Sequence, residues 1–518
     1  MKLLRWKTVF IVNMIAGCVA YSLLMTNQLV NRMDGLWHGS ISYAGDHERC
    51  IGRWLWPYFD KLRLYLSPDP ITSVLSLSFF VLSIILVMDL FCVERRFWQY
   101  MISLLFTINV SVLVALSYRY MSPVFAASCF FSVLAAWLFL NSENKIILFA
   151  AAPLSITAML GLYQANIGCT CLVFLMYLAR LLFKNEKSIR ELAKYIIFRL
   201  ISIFTGGVLY LLLTRLCLWF YELEMSSYGG ADSYGIAGMI RHASDSIHDE
   251  YYHFFEYYEN SSIHSNFFGE KLYVIICLLL LVWYIYATVV LFRTNRLNAV
   301  LFLLIPLLIP MACNAVLLAA FDYSMSIQMT IPVSLCIPVS LCLLSDIPPA
   351  PAGTLPGKVY KILLCAGLVL LLYGNYGMIL YDQQAMFMSM ESTRELASEI
   401  ITSLQVNDLY HPYYKYVFLG SPAENPLFAR NTYIDDRTNS YAHVGGWTSE
   451  NLATSMESWR GLLNNFMGLN IYVAEQERFK EAWNDPLVRS MPVFPEKGSC
   501  ILMEDAVVVK ISDLNGDD

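Results

Sequence analysis

The sequence predicts a polytopic α-helical membrane protein with about eleven transmembrane helices and a C-terminal α/β domain, and three observations support this prediction. Of the 518 residues, 57% are hydrophobic and 15% are charged, a balance that soluble globular domains of ordinary composition do not show. Eleven apolar runs are long enough to cross a bilayer, which takes roughly 17 to 25 residues. After residue 380 the composition becomes polar, with short helix-like and strand-like patterns.

The apolar runs locate the predicted transmembrane helices. They lie at 8–25, 71–93, 98–116, 122–140, 146–162, 168–183, 196–220, 271–292, 297–320, 328–344 and 359–380. The first run follows basic residues, as a signal peptide does, but it stays apolar past Cys18, where a lipoprotein-like cleavage box would end. Cleavage there would detach the next loop from its anchor, so we predict an uncleaved helix. Prolines inside later runs predict tilted or broken helices.

Basic residues determine the predicted orientation. Lys and Arg concentrate in the loops that a cytoplasmic N-terminus would place inside, above all at 184–199. The outer loops after the third, fifth and ninth runs contain one basic residue between them, Arg119. Eleven spans then place residues 381–518 outside the membrane, as an extracytoplasmic domain. In it we predict helices at 392–404 and 451–466 and strands at 416–419, 470–474 and near 501–511.

The first outer loop departs from this charge pattern. The stretch 27–61 contains Asp34, Asp46, Glu48, Arg49 and Arg53, together with several tryptophans. A catalytic loop at the membrane surface would explain these residues, with a carboxylate as general base and arginines as phosphate ligands. A solvated connection whose aromatic residues mark the membrane interface is the alternative. Basic residues on the side that they usually avoid favour a function for this loop.

A second outer loop, 221–270, contains a predicted interfacial helix. His248 and His253 in it are five residues apart, which does not match the i, i+4 spacing of a helical zinc motif. The apolar residues of this helix recur at steps of three and four. They are Ile240, Ala243, Ile247, Tyr251, Phe254 and Tyr258.

Several site types have no motif in the sequence. It contains no phosphate-binding glycine loop, no nucleophile motif and no cysteine cluster with metal spacing, so we predict no metal and no cofactor. The basic residues are scattered through short loops, and we therefore predict no nucleic-acid partner. Most of the 13 cysteines lie in apolar runs, whereas Cys50 and Cys500 lie in predicted outer segments, which leaves a disulfide between them open.

Short motifs in the first outer loop and in one later turn carry a resemblance. The motifs are Asp34-Gly35-Leu36-Trp37, Ala44-Gly45, Glu48, Gly52-Arg53-Trp54 and Leu162-Tyr163-Gln164. They resemble the bacterial glucosyl transferase family that modifies O-antigen and related surface polysaccharides, whose members are multi-spanning membrane enzymes of the GT-C class. The resemblance covers roughly residues 1–380, which we predict to form a GT-C-like transferase domain. Many members carry two adjacent acids in this loop, whereas here Met33 precedes Asp34.

The resemblance implies a reaction and a set of site residues. The donor would be a polyprenyl phosphate-linked glucose, and the acceptor a hydroxyl of a cell-surface polysaccharide. Transfer would occur at the outer face of the bacterial cytoplasmic membrane, with inversion. Asp34 matches the general base, and Glu48 is a second base or a sugar ligand. Arg49 and Arg53 are expected to bind the donor phosphate without a metal. The expected sugar-binding residues are Trp37, Tyr163 and Gln164.

Two other functional classes fit parts of the sequence. A lipid-linked saccharide flippase, or another polysaccharide-export transporter, would have a similar number of spans. Ion-coupled transporters usually carry ionisable residues deep inside their helices, whereas Asp89, Arg215 and Asp322 all lie near the ends of apolar runs. A non-catalytic membrane scaffold that displays the C-terminal domain would not explain the charges and aromatics of the first loop.

Overall fold

The computed structural model describes residues 3–31, 34–42, 44–227, 241–259, 269–320, 325–347, 354–447 and 451–514. Met33, Ile240 and Asp322 lie outside the described residues. In the first half of the chain the helices are α1 (Lys7–Ala20), α2 (Ser22–Asn27), α3 (Asp34–Trp37), α4 (Asp46–Cys50), α5 (Trp56–Leu62), α6 (Ile71–Leu90), α7 (Arg96–Thr107), α8 (Val110–Ser117), α9 (Ser122–Asn141), α10 (Ala152–Leu162), α11 (Ile167–Lys184) and α12 (Ile189–Phe220). The later helices are α13 (Ala243–Glu259), α14 (Gly269–Thr294), α15 (Arg296–Cys313), α16 (Ile331–Asp346), α17 (Leu355–Val406), α18 (Thr432–Asp435), α19 (Leu452–Arg460), α20 (Gln476–Asn484) and α21 (Pro486–Ser490).

The apolar helices make the chain a polytopic membrane protein. Within the described part of the chain, eight helices are long and apolar enough to cross a membrane, and α7 and α8 form a ninth span if this pair, bent by 44°, counts as one. Lys7–Ala20 and Ile147–Leu162 are apolar but shorter. These elements lie at the eleven predicted positions. The expectation of eleven full-length spans is therefore not confirmed, because the described part of the chain has eight such helices, or nine with the bent pair.

The bend between α7 and α8 has polar partners inside the bundle. Asn109 caps α8, because its side chain accepts a hydrogen bond from the Ser111 N–H at 2.9 Å. The buried Tyr21 hydroxyl donates to the carbonyl oxygen of Thr107 at 2.8 Å. Backbone groups that the bend would leave unpaired thus keep hydrogen bonds in apolar surroundings, which a broken helix within a membrane requires.

Helix α13 corrects the predicted apolar face of the interfacial helix. Ser246 and Glu250 are buried together with Tyr257 and Tyr258, whereas the side chain of Ile247 is 38% exposed. The buried side of α13 packs against α15 and the short 3₁₀ turn that follows it. Contacts with neighbouring helices, rather than the apolar periodicity, therefore decide which face of α13 is covered.

The C-terminal region contains a four-stranded sheet. Its strands are β1 (Lys415–Leu419), β2 (Tyr472–Val473), β3 (Cys500–Met503) and β4 (Ala506–Lys510), in the order β2-β1-β4-β3. β1 is parallel to both β2 and β4, and β3 is antiparallel to β4. Every residue of β4 is buried, as expected of a central strand. The strands lie close to the positions that the sequence predicts.

Helix α17 joins this region to the membrane helices. It is 52 residues long, which corresponds to roughly 78 Å at 1.5 Å per residue. The predicted last span and the predicted helix at 392–404 are therefore one continuous helix. The sequence predicts one helix at 451–466, whereas the structure has the α-helix α19 followed by a π-helical turn at Gly461–Phe466.

The first loop packs directly on the C-terminal region. Val30 and Leu36 belong to the same hydrophobic cluster as the strands of the sheet. A Cβ atom at Gly461 would lie 2.0 Å from the carbonyl oxygen of Leu36, so only glycine permits this approach of α3 to the π-helical turn. The side-chain amide of Asn465 donates to the carbonyl oxygen of Trp37 at 3.3 Å. The division of the chain at residue 380 stays a prediction, because the two parts share this core.

Candidate functional site

The described residues of the first loop form three short helices, and Asp34 begins the first of them. Asp34 is half-buried at the start of α3. The Asn31 side chain accepts a hydrogen bond from the Gly35 N–H, and the Asn31 N–H donates to the carbonyl oxygen of Ser117. These bonds tie the start of α3 to the end of α8. The expected base therefore has a defined place between the membrane helices and the C-terminal region.

Trp37 lies on the side of α3 that meets the C-terminal region. Its indole N–H is 3.5 Å from the hydroxyl of Ser458, and its side chain is 37% exposed. The next residue, His38, stacks on the ring of Tyr120 with a centroid distance of 3.8 Å. Burial lowers the pKa of His38, and the nearby negative charge of Glu48 partly offsets this effect. The end of α3 and helix α4 are thus close together.

The structure brings three of the predicted site residues into one cluster. The Arg53 Nε–H donates to the side-chain oxygen of Gln164 at 3.4 Å, and the guanidinium lies over the ring of Tyr163, 4.9 Å from its centroid. The Gln164 amide donates to the carbonyl oxygen of Ile51 at 2.9 Å and to the hydroxyl of Tyr210 at 3.1 Å. Tyr210, from α12, is a member that the sequence analysis missed, because it lies inside a run predicted to span the membrane.

Two glycines allow this cluster to form. Gly52 has a φ of +81°, and a Cβ atom there would lie 2.3 Å from the Tyr210 hydroxyl. A Cβ atom at Gly161 would lie 2.9 Å from the ring of Trp54. The Leu55 N–H donates to the carbonyl oxygen of Gly161 at 2.9 Å. The Gly-Arg-Trp motif therefore fits against the turn before α11, which explains its residue types.

Arg49 and Glu48 are engaged within α4 and with the end of α12. The Arg49 guanidinium forms a 2.7 Å ion pair with Asp46 and lies over the ring of Tyr221, 4.1 Å from its centroid. Glu48 accepts a hydrogen bond from the Gly45 N–H at 2.6 Å and so caps the first turn of its own helix. A cap is a structural role, which makes Glu48 a weaker candidate than Asp34 for the base.

Asp69 is a candidate that the sequence analysis missed. It is 9% exposed and directly precedes Pro70 at the start of α6. One carboxylate oxygen accepts from the Ser73 N–H at 3.0 Å and from the Ser73 hydroxyl at 2.6 Å. The other oxygen is buried and has no hydrogen-bond partner among the described residues. Burial raises the pKa of Asp69, while Ser73 and the charge of Arg119 act in the opposite direction.

Arg119 connects three parts of the chain near Asp69. Its side chain is buried, donates to the amide oxygen of Gln28 at 2.8 Å, and lies 5.6 Å from the ring centroid of Phe466 in the C-terminal region. Burial lowers the pKa of Arg119, and the charge of Asp69 partly restores it. The one basic residue of three predicted outer loops was the available signal for this site.

Cys50 and Cys500, the two cysteines of the predicted outer segments, are both free thiols. The structure thus gives no support to a disulfide between them.

A comparison with protein-family models identifies the family of the chain. The family model described as glucosyl transferase GtrII matches residues 40–337. The matched part contains Glu48, Arg49 and Arg53 with the turn of Tyr163 and Gln164, whereas α3 with Asp34 precedes it. The curated proteins and the solved structures that were searched contain no match. Because the family model covers more than half of the chain, this protein belongs to the GtrII glucosyl transferase family.

Proposed function

We propose that the protein is a membrane glycosyltransferase that moves a hexose, most simply glucose, from a polyprenyl phosphate-linked donor to a cell-surface polysaccharide. Membership of the GtrII family supports glucosyl transfer, and the membrane helices supply the bilayer in which a lipid-linked donor resides. We place the reaction at the outer face of a bacterial cytoplasmic membrane, with inversion at the anomeric carbon. The cluster of Arg53, Tyr163 and Gln164 is the observation that carries this proposal.

The cluster has the chemistry that such a donor needs. Among the described residues, the side-chain hydrogen bond of Arg53 uses Nε, which leaves both terminal nitrogens for a bidentate contact with the donor phosphate. The phosphate becomes the leaving group and gains negative charge as the bond to the sugar breaks. A guanidinium held by Gln164 and Tyr163 stabilises that charge electrostatically. Arg49, which pairs with Asp46, is the second arginine that we assign to the donor phosphate.

The acceptor hydroxyl needs a base, and Asp34 is our first choice. A hydroxyl is a weak nucleophile, and a carboxylate that takes its proton in the transition state accelerates the reaction by about 10² to 10⁴. Asp69 is the second candidate, since its buried oxygen lacks a partner and its pKa is raised towards the range in which a base is most effective.

The direct test uses purified protein in lipid nanodiscs with polyprenyl phosphate [¹⁴C]glucose and extracted surface polysaccharide. We expect label to move into the polysaccharide with release of polyprenyl phosphate. Movement of the intact lipid-linked sugar across a vesicle membrane, without transfer of label, would instead support the flippase.

The proposed orientation can be tested separately. Glu477 is exposed on α20, and a Glu477→Cys variant in which Cys50 and Cys500 are Ser provides one thiol in the C-terminal region outside the apolar helices. We expect an impermeant maleimide to label it in intact spheroplasts. Labelling only after lysis would place this region in the cytoplasm and reverse the orientation of every loop.

A further inference from the structure

A cleft of about 420 Å³ lies in the C-terminal region, away from the first loop's charged residues. One wall is formed by α17 at Ala385 and Ser389, just beyond the predicted last span. The floor is formed by the segment that leaves β1 and by residues close to Trp447. Its volume falls within the roughly 300–1,000 Å³ typical of small-molecule sites.

The position of the cleft in the sheet is one at which α/β folds bind ligands. β2 and β4 flank β1 on opposite sides, and both are parallel to it. Ligands of open α/β sheets bind outside the carboxyl ends of parallel strands, and the segments that leave β1 and β4 meet at this end of the sheet. Ser421 and Glu424, which line the cleft, follow directly after β1.

Hydrogen bonds make this end of the sheet rigid. Gly420 has a φ of +101°, and a Cβ atom there would lie 2.5 Å from the Ser512 N atom. The Ser421 N–H donates to the Ser512 hydroxyl at 3.0 Å, and the Ser421 hydroxyl donates to the carbonyl oxygen of Gly445 at 3.1 Å. The Asn425 amide donates to the carbonyl oxygen of Ile511 at 2.6 Å. A preformed floor of this kind lowers the cost of ordering a binding site.

The adjoining wall is anchored to the end of the membrane helix. Asp382 on α17 is fully buried and accepts hydrogen bonds from the Asn439 N–H at 3.0 Å, from the Asn439 amide at 2.8 Å and from the Tyr441 hydroxyl at 2.5 Å. These bonds fasten the segment that leads to His443 and Trp447 onto α17. Asp382 is only two residues past the predicted span, so the cleft lies close to the proposed outer membrane surface.

The lining excludes several ligand classes. Glu424, Asp435 and Asp436 outnumber Arg430, whose guanidinium already donates to the carbonyl oxygen of Ala423, so a phosphate or another anion is disfavoured. Polar and charged side chains around the rim disfavour a lipid chain. Among the described residues, no group of three or more His, Cys, Asp or Glu side chains is arranged to bind a metal.

A neutral polyhydroxylated ligand fits this lining. Carboxylates accept hydrogen bonds from sugar hydroxyls, and the half-buried ring of Phe428 supplies apolar surface beside them. Trp447 is 1% exposed, and its indole N–H has no hydrogen-bond partner among the described residues. Buried indole N–H groups usually have a partner, and a ligand hydroxyl would provide one here.

We propose that this cleft binds a neutral saccharide segment of the acceptor polysaccharide. The inference rests on the proposed transferase function and extends it, because it assigns acceptor binding to the C-terminal region and leaves the donor to the first loop. The packing of α3 against the C-terminal region holds the two parts in one body. An acceptor held in the cleft would then stay close to the membrane surface while one of its hydroxyls reacts.

The test measures saccharide binding by the full-length protein in detergent. The probes are neutral di- to pentasaccharides of glucose, galactose, rhamnose and N-acetylglucosamine, with uronic acid-containing oligosaccharides of matched length for comparison. We expect a neutral probe to bind and the matched acidic probes to bind more weakly. An Asp435→Asn, Asp436→Asn double variant is expected to weaken the neutral probe by about tenfold or more, since it weakens two charge-assisted hydrogen bonds. Glu477→Gln, on the exposed face of α20, is the matched control.

Phe428→Ala is a second variant that leaves the charges unchanged, and it should weaken the same probe. Size-exclusion profiles and near-UV circular dichroism identify any variant that fails to fold. Equal affinity of the folded Asp435→Asn, Asp436→Asn variant and Glu477→Gln, or tighter binding of acidic probes, would overturn the inference.

Failure of the inference can be told apart from failure of the proposed function. If the protein binds saccharide in the cleft but transfers no sugar, only the proposed transferase function is refuted. If the cleft variants transfer sugar with the same acceptor KM as Glu477→Gln, only the inference that the cleft binds the acceptor is refuted.

Discussion

Two buried carboxylates in the first loop, Asp60 and Asp69, have opposite environments. Asp60 pairs with Arg63 at 2.8 Å and accepts a hydrogen bond from the Ala44 N–H at 2.9 Å. Asp69 has Ser73 as the donor to one oxygen, and its other oxygen lacks a partner among the described residues. Arg119, whose charge acts on Asp69, donates to Gln28 instead. Unpaired buried charge is costly.

This difference in pairing distinguishes charged residues that hold the loop together from charged residues that are candidates for the reaction. Arg63 is a basic residue of the predicted first outer loop, and its contacts with Asp60, Ser67 and the carbonyl oxygen of Tyr120 give it a structural role in holding the loop together. Arg53 and Asp69 have no such complete set of internal partners. The predictions below test whether incomplete pairing marks the reaction site.

The largest expected effect concerns the base. Asp34→Asn keeps the shape of the side chain but cannot take the acceptor proton, so the transfer rate should fall by about 10² to 10⁴. Radiolabel transfer from the polyprenyl phosphate donor measures the effect, with donor binding as the check on folding. Asp69→Asn and Glu48→Gln are the matched variants. Full activity of Asp34→Asn, with a loss of this size in Asp69→Asn, would move the base to Asp69.

The next largest effect, on stability, is expected when the carboxylate of Asp60 is removed. Asp60→Asn leaves the Arg63 charge buried without its partner, and such losses cost about 3–5 kcal/mol of unfolding free energy. Thermal unfolding in detergent should show a clear decrease. Asp69→Asn is the control and should not decrease stability, because it removes an incompletely paired buried charge. Similar losses in both variants would show that the two sites do not differ in the way proposed.

A third buried carboxylate extends the comparison to α13. Both oxygens of Glu250 lack hydrogen-bond partners among the described residues, and burial raises its pKa to about 8 from the usual 4.5. The folded protein therefore holds this proton more tightly than the unfolded chain, and the contribution to stability decreases as the pH rises from about 4.5 to about 8.

Glu250→Gln keeps a neutral group at all pH values. We expect its stability relative to the native protein to increase between pH 5 and pH 8, measured as the shift in Tm at each pH. Asp249→Asn, on the more exposed side of α13, should show no such trend. A Glu250→Gln difference that does not change with pH would contradict the raised pKa.

The smallest effect is expected for the phosphate contact. Arg53→Lys retains the positive charge but loses the planar fork, so donor affinity should decrease by about tenfold. Binding of a polyprenyl phosphate sugar to the purified protein measures the change. Arg63→Lys is the comparison, and we expect it to alter stability more than donor affinity. An unchanged donor affinity in Arg53→Lys would remove Arg53 from the site.

Much of the architecture was predictable because it depends on local composition. The apolar runs located each candidate membrane helix of the described part of the chain, and short strand-like patterns located the strands from β1 to β4. The lengths were less predictable. The apolar run at 98–116 predicts one continuous span, whereas the structure divides it into α7 and α8. At this bend the Tyr21 hydroxyl, 88 residues away, donates to the carbonyl oxygen of Asn109.

The candidate site was predictable only in part. The crowding of charges and the glycine motifs drew attention to Arg53 and Gln164, and the structure joins them. The sequence did not distinguish Asp60 from Asp69, because both are acids in the same loop. It also contained no sign of Tyr210 or of the cleft beyond β1.

The sequence by itself determined the membrane class and the positions of the helices, since hydropathy and charge bias act on each segment independently of the others. The tertiary structure alone decided which polar groups have partners. Arg53 and Gln164 are 111 residues apart, and Trp37 and Ser458 are 421 residues apart. Contacts at such separations leave no periodic signal in the chain, because they arise only when packing brings distant segments together.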